Sequence, residues 1–229
     1  MKTQPEINSA AEVISSPRLD KYDVPKLIKE FKENGVITLR EWLTQDEVVE
    51  LSCNASPHFA RTKTGIKFSG ILKNIDKVDD WFHQKFNHGT QVPLIEQLLG
   101  TKVVPASAGV FVKRPNEDKN TVDPHRDASA LSDKPLGATM WLAIDPAGEH
   151  NGSVNFLKGS HLREMDPETA TEDEIYRADL QPGDATIHNA QILHWSNGNQ
   201  SSDYRRAVTY FYFTRHSPMY GKFHSKKKP

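Results

Sequence analysis

The residues best suited to chemistry are His125, Asp127 and His194, with Arg126 between the first two and Arg205 after the last. A His-x-Asp pair with a distant second histidine is the ligand set of the two-histidine, one-carboxylate facial triad. That triad grips non-heme Fe(II) on one face and leaves the opposite positions open. Side chains on a strand alternate with period two, so a strand carrying His125 and Asp127 would point both to one side and Arg126 to the other. The third ligand must come from another strand, and its distance in sequence is free. An open Fe(II) needs a two-electron reductant to use O2, and a keto acid such as 2-oxoglutarate is a common supply. The far carboxylate of that keto acid must be held. A guanidinium does so by a two-pronged, charge-assisted pair, worth roughly 1.5–3 kcal/mol. Between His194 and Arg205 lie Asn197, Gly198 and Asn199, then Ser201, Ser202 and Asp203. This is the pattern of a strand, a polar turn and a returning strand.

Those side chains need a β-rich frame. Val24 to Asn34 carries Leu27, Ile28 and Phe31 at helical spacing, and Gly35 is a stop signal. Val36 to Leu39 reads as a strand. Thr44 with Glu47 is a capping box that opens a helix through about Cys53. Residues 56 to 90 are ambiguous: Trp81, Phe82 and Phe86 fit a helix or a packed loop. Pro93 to Leu99 is a short helix ended by Gly100. Beyond it, strands are expected at Lys102 to Val104, Gly109 to Lys113, around His125, and at Gly137 to Ile144. Further strands are expected at Ser153 to Leu157, Ala185 to His188, Ile192 to Ser196 and Arg205 to Phe213. Met165 to Tyr176 is acidic and reads as a surface lid or loop, with a short helix at Thr171 to Ile175. Helices first, then many antiparallel strands on short turns, imply a mainly β, α+β fold. The expected form is a double-stranded β-helix, or jelly roll, with N-terminal helices packed on one sheet. The expected organisation is a mobile segment at 1–20, one domain at 21–218 and a basic tail at 219–229.

A length of 229 residues suits one large domain, and 36% hydrophobic with 26% charged residues is ordinary for a soluble protein. The net charge of −1 gives no global attraction for nucleic acid or membrane. Lys226 to Lys228 has no interleaved aromatics and reads as a solvated end. The lone Cys53 cannot form an internal disulfide, and no apolar leader or long apolar run is present. The chain therefore reads as cytoplasmic, a monomer or homodimer that meets small molecules rather than nucleic acid or membrane.

The order of motifs resembles the phytanoyl-CoA dioxygenase-type family of Fe(II)/2-oxoglutarate oxygenases. The stretches that carry the resemblance are Val122 to Asp127, Met140 to Ile144, Asn151 to Ser153 with Leu157 to His161, Leu180 to Ala185, Ile192 to Ser196, and Tyr204 to Ala207. Phe31 to Ile37 leading into Leu43 to Val48 is similar to the family's opening helix, strand and second helix. The resemblance implies Fe(II) on His125, Asp127 and His194, with 2-oxoglutarate and O2 as cosubstrates. It selects His194 over His188 as the distal ligand, leaving His188 as a cavity, substrate-side or core residue. It selects Arg205 over Arg206 as the clamp for the cosubstrate, with Ser196 placed to bond the same carboxylate. Trp141 corresponds to a lining residue of the cosubstrate pocket, and Lys113 or Arg114 to a Lys-Pro element. Arg126 stands where relatives often carry Gln, so it would alter cosubstrate contacts or meet an anionic substrate. Ser129 and Asp133 follow the ligands as candidate substrate contacts. His161 corresponds to a structural position.

The resemblance thus implies a dioxygenase. A carboxylate at Asp127 argues for hydroxylation or a related oxidation, because halogenating relatives carry a small residue there. The expected reaction is hydroxylation of an unactivated C–H of a small polar or anionic metabolite, with release of succinate and CO2. The stretch from Lys63 to His88, with Lys67, Lys73 and Lys77, would cover the mouth of the site. Two rivals compete: a non-catalytic jelly-roll ligand-binding relative, and a zinc hydrolase on the same triad. Arg205 speaks against the second, since hydrolysis needs no keto-acid anchor.

Overall fold

The computed structural model describes residues 18–64, 69–128 and 130–220. Its strands, in chain order, are β1 (Val36–Leu39), β2 (Ile71–Lys73), β3 (Val103–Lys113), β4 (Val122–His125), β5 (Gly137–Ala143), β6 (Val154–Leu157), β7 (Ile175–Arg177), β8 (Ala185–Asn189), β9 (His194–Ser196) and β10 (Arg205–Thr214). They form two antiparallel sheets, ordered β1-β8-β5-β10-β3-β2 and β4-β9-β6-β7. This is the jelly roll expected. The helices are α1 (Val24–Asn34), α2 (Gln45–Ala60), α3 (Asp80–His88) and α4 (Gln91–Leu99).

Period-two alternation makes the larger sheet two-faced. On β10, Val208, Tyr210 and Tyr212 pack into the main core with Phe82, Phe86, Leu94 and Ile95 of the helices. The intervening Arg205, Thr209 and Phe211 turn toward the smaller sheet and line a cavity. The helices are thus a buttress, and the inter-sheet space is left for chemistry. Among the described residues, no helix is long and apolar enough to cross a membrane.

Local signals explain most boundaries. The Asp23 side chain accepts from Lys26 N and caps α1, which ends at Gly35 with φ 81°. A side chain at Gly35 would also strike His161, its Cβ lying 2.5 Å from Nδ1. Thr44 and Glu47 form the reciprocal capping box of α2. That helix outruns the expected end near Cys53 and continues through Pro57. The buried stripe of Leu51, Ala55, His58 and Phe59 outweighs the one backbone bond that proline removes.

Several expectations need correction. β3 is one strand rather than two, because Pro105 sits at a bulge where the pairing shifts between Phe211 and Tyr212. β2 and β7 were not foreseen; three residues are too few to show a period. Residues 56–90 resolve into the end of α2, β2, a 3-10 turn at Ile75–Lys77 and α3. The helix expected at Thr171 to Ile175 is a 3-10 turn over Glu172–Glu174. Most importantly, β4 ends at His125, so Asp127 does not share its strand. Pro124 cannot donate to the ladder, and β4 shifts register against β9 between Val122 and His125. The expected 1–20 segment and 219–229 tail lie mostly outside the described residues.

Asp184 joins the sheet to its turns. Its carboxylate accepts from Glu41 N at 2.8 Å and Gln181 N at 2.9 Å and pairs with Arg40 at 2.7 Å. Burial opposes its charge, but these donors outweigh burial and hold its pKa below the usual value. A depressed carboxyl contributes stability above its unfolded pKa, and that contribution fades as pH falls through the folded value. Asp184→Asn should therefore cost about 1–3 kcal/mol at pH 7. Denaturant titrations should show the gap from wild type closing below about pH 4. A gap independent of pH would refute the assignment.

Candidate active site

A cavity of about 270 Å³ lies between the sheets. That is at the small end of ligand sites, which run from about 300 Å³ upward. His125 comes from the end of β4, His194 from the start of β9, and Asp127 from the bend after β4. One ligand atom from each lies within 4.8 Å of the others.

The hydrogen bonds around the three side chains leave a suitable donor set. His125 Nδ1 donates to the Asp123 carbonyl at 2.9 Å, and His194 Nδ1 to the Ile192 carbonyl at 3.1 Å. Each ring is thereby fixed in the tautomer with an Nε2 lone pair free. Asp127 Oδ2 is taken by Thr139 Oγ1 at 2.6 Å and by His188 Nε2 at 3.3 Å. Its Oδ1 remains, 4.0 Å from His194 Nε2. Burial would raise the Asp127 pKa, but the His188 hydrogen bond, nearby His194 and Thr139 hold it well below the usual range. Burial pushes His194 down to about 3. The group therefore offers one carboxylate oxygen and neutral imidazole nitrogens, which fits a divalent cation of the Fe(II) type.

Deeper in the cavity lies a second charged feature. Arg205 is 3% exposed, and its Nε and Nη1 have no hydrogen-bond partner. Its guanidinium lies over Trp141, 5.4 Å from the ring centroid. Arg206 points the other way, with Nε and Nη2 each 2.8 Å from Asp145. Lys113 is the register partner of Arg205 and also lines the cavity, while Arg114 turns out to Thr62 and Glu117. Burial and the Arg205 charge push Lys113 down to about 7, and its Nζ donates to the Asn120 carbonyl. Ser196 lines the same cavity.

Other candidates fall elsewhere. His188 and His194 lie on strands of different sheets, with their rings 4.7 Å apart. His161 is structural in position, its Nε2 donating to the Lys32 carbonyl at 3.1 Å. Ser129 lies outside the described residues, as does Lys67. Asp133 is not among the residues that line the cavity. Thr139 escaped the sequence reading, although it lies two before Trp141 and so on the same face of β5.

Arg126 also turns away from the cavity. It donates from Nε to the Gln191 carbonyl at 2.9 Å and from Nη2 to the Ser160 carbonyl at 3.0 Å, with Glu164 at 3.3 Å. Ser160 Oγ in turn accepts from Leu193 N at 2.8 Å. Arg126 thus ties the segment carrying Asp127, which no sheet holds, to the turn that leads into His194. Arg126→Ala should raise the Fe(II) concentration needed for half-saturation by about 10–100-fold. Unchanged Fe(II) affinity in a metal titration would rule this out.

Known proteins share this frame. Phytanoyl-CoA dioxygenase domain-containing protein 1 of Mus musculus is 24% identical, over 81% of this chain and 88% of its own. The Fe(II)/2-oxoglutarate-dependent dioxygenase nvfF of Aspergillus novofumigatus is 26% identical, over 78% of this chain and 67% of its own. The epimerase SnoN, solved with Fe3+, alpha ketoglutarate and nogalamycin RO, superposes with a TM-score of 0.70 at 22% identity, covering 83% of each chain. EctD from S. alaskensis, solved with 2-oxoglutarate and 5-hydroxyectoine, gives 0.69 at 17% identity, over 82% of this chain and 75% of its own. At such identities the solved structures speak for the fold. The model of the phytanoyl-CoA dioxygenase (PhyH) family matches residues 31–207, a span that includes the His125, Asp127 and His194 cluster and Arg205, and the chain belongs to that family of Fe(II)/2-oxoglutarate-dependent dioxygenases.

Proposed function

We propose that the protein is a hydroxylase acting on an unactivated C–H bond of a small polar or anionic metabolite, consuming 2-oxoglutarate and O2 and releasing succinate and CO2. The observation that carries this reading is Arg205. A buried guanidinium with two unpartnered nitrogens is costly unless an anion meets it. It shares its cavity with the triad, so one dicarboxylate can reach both.

Fe(II) held here would activate O2, the keto acid supplying two electrons through its oxidative decarboxylation to succinate and CO2. The chain supplies position and charge. His125 Nε2, His194 Nε2 and Asp127 Oδ1 would hold the metal, with Oδ2 kept out of the way by Thr139 and His188. Arg205 would grip the far carboxylate of 2-oxoglutarate, with Ser196 beside it. Trp141 shields that pair from water, which strengthens it. Lys113 adds positive charge at the same end.

Other outcomes of the same oxidation exist on this scaffold: SnoN is an epimerase and SnoK a carbocyclase. Asp127 speaks against halogenation, because its carboxylate leaves no place for a halide. A zinc hydrolase gives Arg205 nothing to do. An anaerobic titration with Fe(II) and 2-oxoglutarate should give a weak visible charge-transfer band. With a substrate found by oxygen-uptake screening, one atom from labelled O2 should enter product for each succinate formed. Tight zinc with no oxygen uptake would sink the oxygenase, and product without added oxygen would sink the hydroxylase.

A further inference from the structure

The residues of the cavity that neither the triad nor the cosubstrate clamp uses form a graded slot. The register of the large sheet arranges them in rows across β5, β10, β3 and β2. Arg205 faces Lys113 in the deepest row. Next comes Ala207 opposite Phe111, with Ile71 beyond it. Then come Trp141, Thr209, Gly109 and Lys73 in line. The last row is Thr139, Phe211 and Ser107. Thr139 holds Asp127, so the triad stands at the β5 end of these rows and β2 closes the other.

Reading outward from the triad, the chemistry changes in order. Thr209 presents a hydroxyl. Its register partner Gly109 carries no side chain, and a Cβ there would lie 3.0 Å from the Leu72 carbonyl oxygen and 3.5 Å from Thr209 Oγ1. Half-buried Phe111 and Phe211 both line the cavity, one on each side of the Thr209 row, so they form facing walls. Phe211 is stiffened by edge contact with Phe213 at 4.5 Å and by packing on Ala128, Leu136 and Ala190. Trp195 closes the slot from the smaller sheet. A gap between two aromatic walls takes a flat apolar body.

The outer end carries Lys73. It lines the cavity, is exposed, and makes no hydrogen bond or ion pair among the described residues. Charge favours an anion there. Asp127 is the one carboxylate among the lining residues, against Lys73, Lys113 and Arg205. A divalent metal and a doubly charged keto acid cancel each other, and the surplus remains positive.

We propose that the substrate is an anion carried on a flat apolar body, seated between Phe111 and Phe211, with its anionic group on Lys73. This rests on the oxygenase reading and narrows it, excluding cationic and compact zwitterionic substrates.

The test uses three probes of one shape and different charge: biphenyl-4-carboxylate, biphenyl-4-methanol and 4-biphenylmethylamine. Full-length protein loaded anaerobically with Fe(II) and 2-oxoglutarate is titrated with each. Binding is read from tryptophan fluorescence, since Trp141 and Trp195 line the cavity, and from the visible band. The carboxylate should bind about fivefold more tightly than the alcohol, and the amine more weakly still. Lys73→Glu, an exposed change, should cancel or invert that order and leave the 2-oxoglutarate band intact. Phe211→Ala should weaken all three probes alike. Equal binding of the three, a preference that survives Lys73→Glu, or no binding by any of them overturns the proposal. Absence of the band overturns the oxygenase reading separately, because fluorescence still reports the charge preference.

Discussion

Asp127→Ala is expected to reduce 2-oxoglutarate-dependent succinate formation to background. The carboxylate is the single anion of the triad, and without it two neutral imidazoles must hold a divalent cation alone. The change also leaves Thr139 Oγ1 and His188 Nε2 without their shared acceptor, at a cost of about 1–3 kcal/mol of stability. Asp127→Asn separates the two effects. A carboxamide oxygen can still accept from Thr139, so that variant should melt near wild type while failing to hold Fe(II). His194→Ala should lose the metal as well, whereas His188→Ala should weaken it without abolishing it, because His188 acts only through Asp127. Full turnover in Asp127→Asn, or equal losses in the two histidine variants, would refute the ligand assignment.

Arg205→Ala should raise the KM for 2-oxoglutarate by about 10–150-fold, the equivalent of 1.5–3 kcal/mol for a two-pronged charged pair. Its effect on kcat should be smaller, since the far carboxylate is held alike before and during the reaction. Arg205→Lys should recover only part of the loss, as an ammonium cannot make the fork. The neighbouring Lys113 adds a second expectation. Arg205 contributes to holding the Lys113 pKa down, so its removal should let Lys113 carry more charge and compensate in part. The double variant Arg205→Ala, Lys113→Met should then be worse than the two single losses combined. Arg206→Ala is the control: its bonds go to Asp145, and the KM should not move. An Arg205→Ala enzyme with wild-type KM would remove the main support for the function proposed above.

The helix ends were legible because their signals are local. Asp23, Thr44 with Glu47, Gly35 and Gly100 act on backbone groups within a turn, and no distant partner is needed. Alternation is local too and showed that only one of Arg205 and Arg206 could face inward; the choice of Arg205, and of Trp141 as its neighbour, came from the family resemblance, and the register of β10 against β5 puts them on one face. β2 was not legible. Three residues become a strand only because β3 offers them an edge, and that edge turns Lys73 into part of the cavity.

The chain alone determined which side chains could grip a metal and an acid, and in what order they occur, because ligand chemistry belongs to residue type. It also determined the jelly roll, because alternation and turn residues are repeated along the chain. Tertiary structure decided how the ligands are held. Asp127 lies beyond the end of β4, where no strand geometry applies, and its place depends on Thr139, His188 and Ala190 and on the Gln191 and Ser160 carbonyls that clasp Arg126, none of them adjacent in sequence. It likewise decided that Lys113 and not Arg114 meets the cavity, since which residue of a neighbouring pair faces inward depends on the register of β3 against β10.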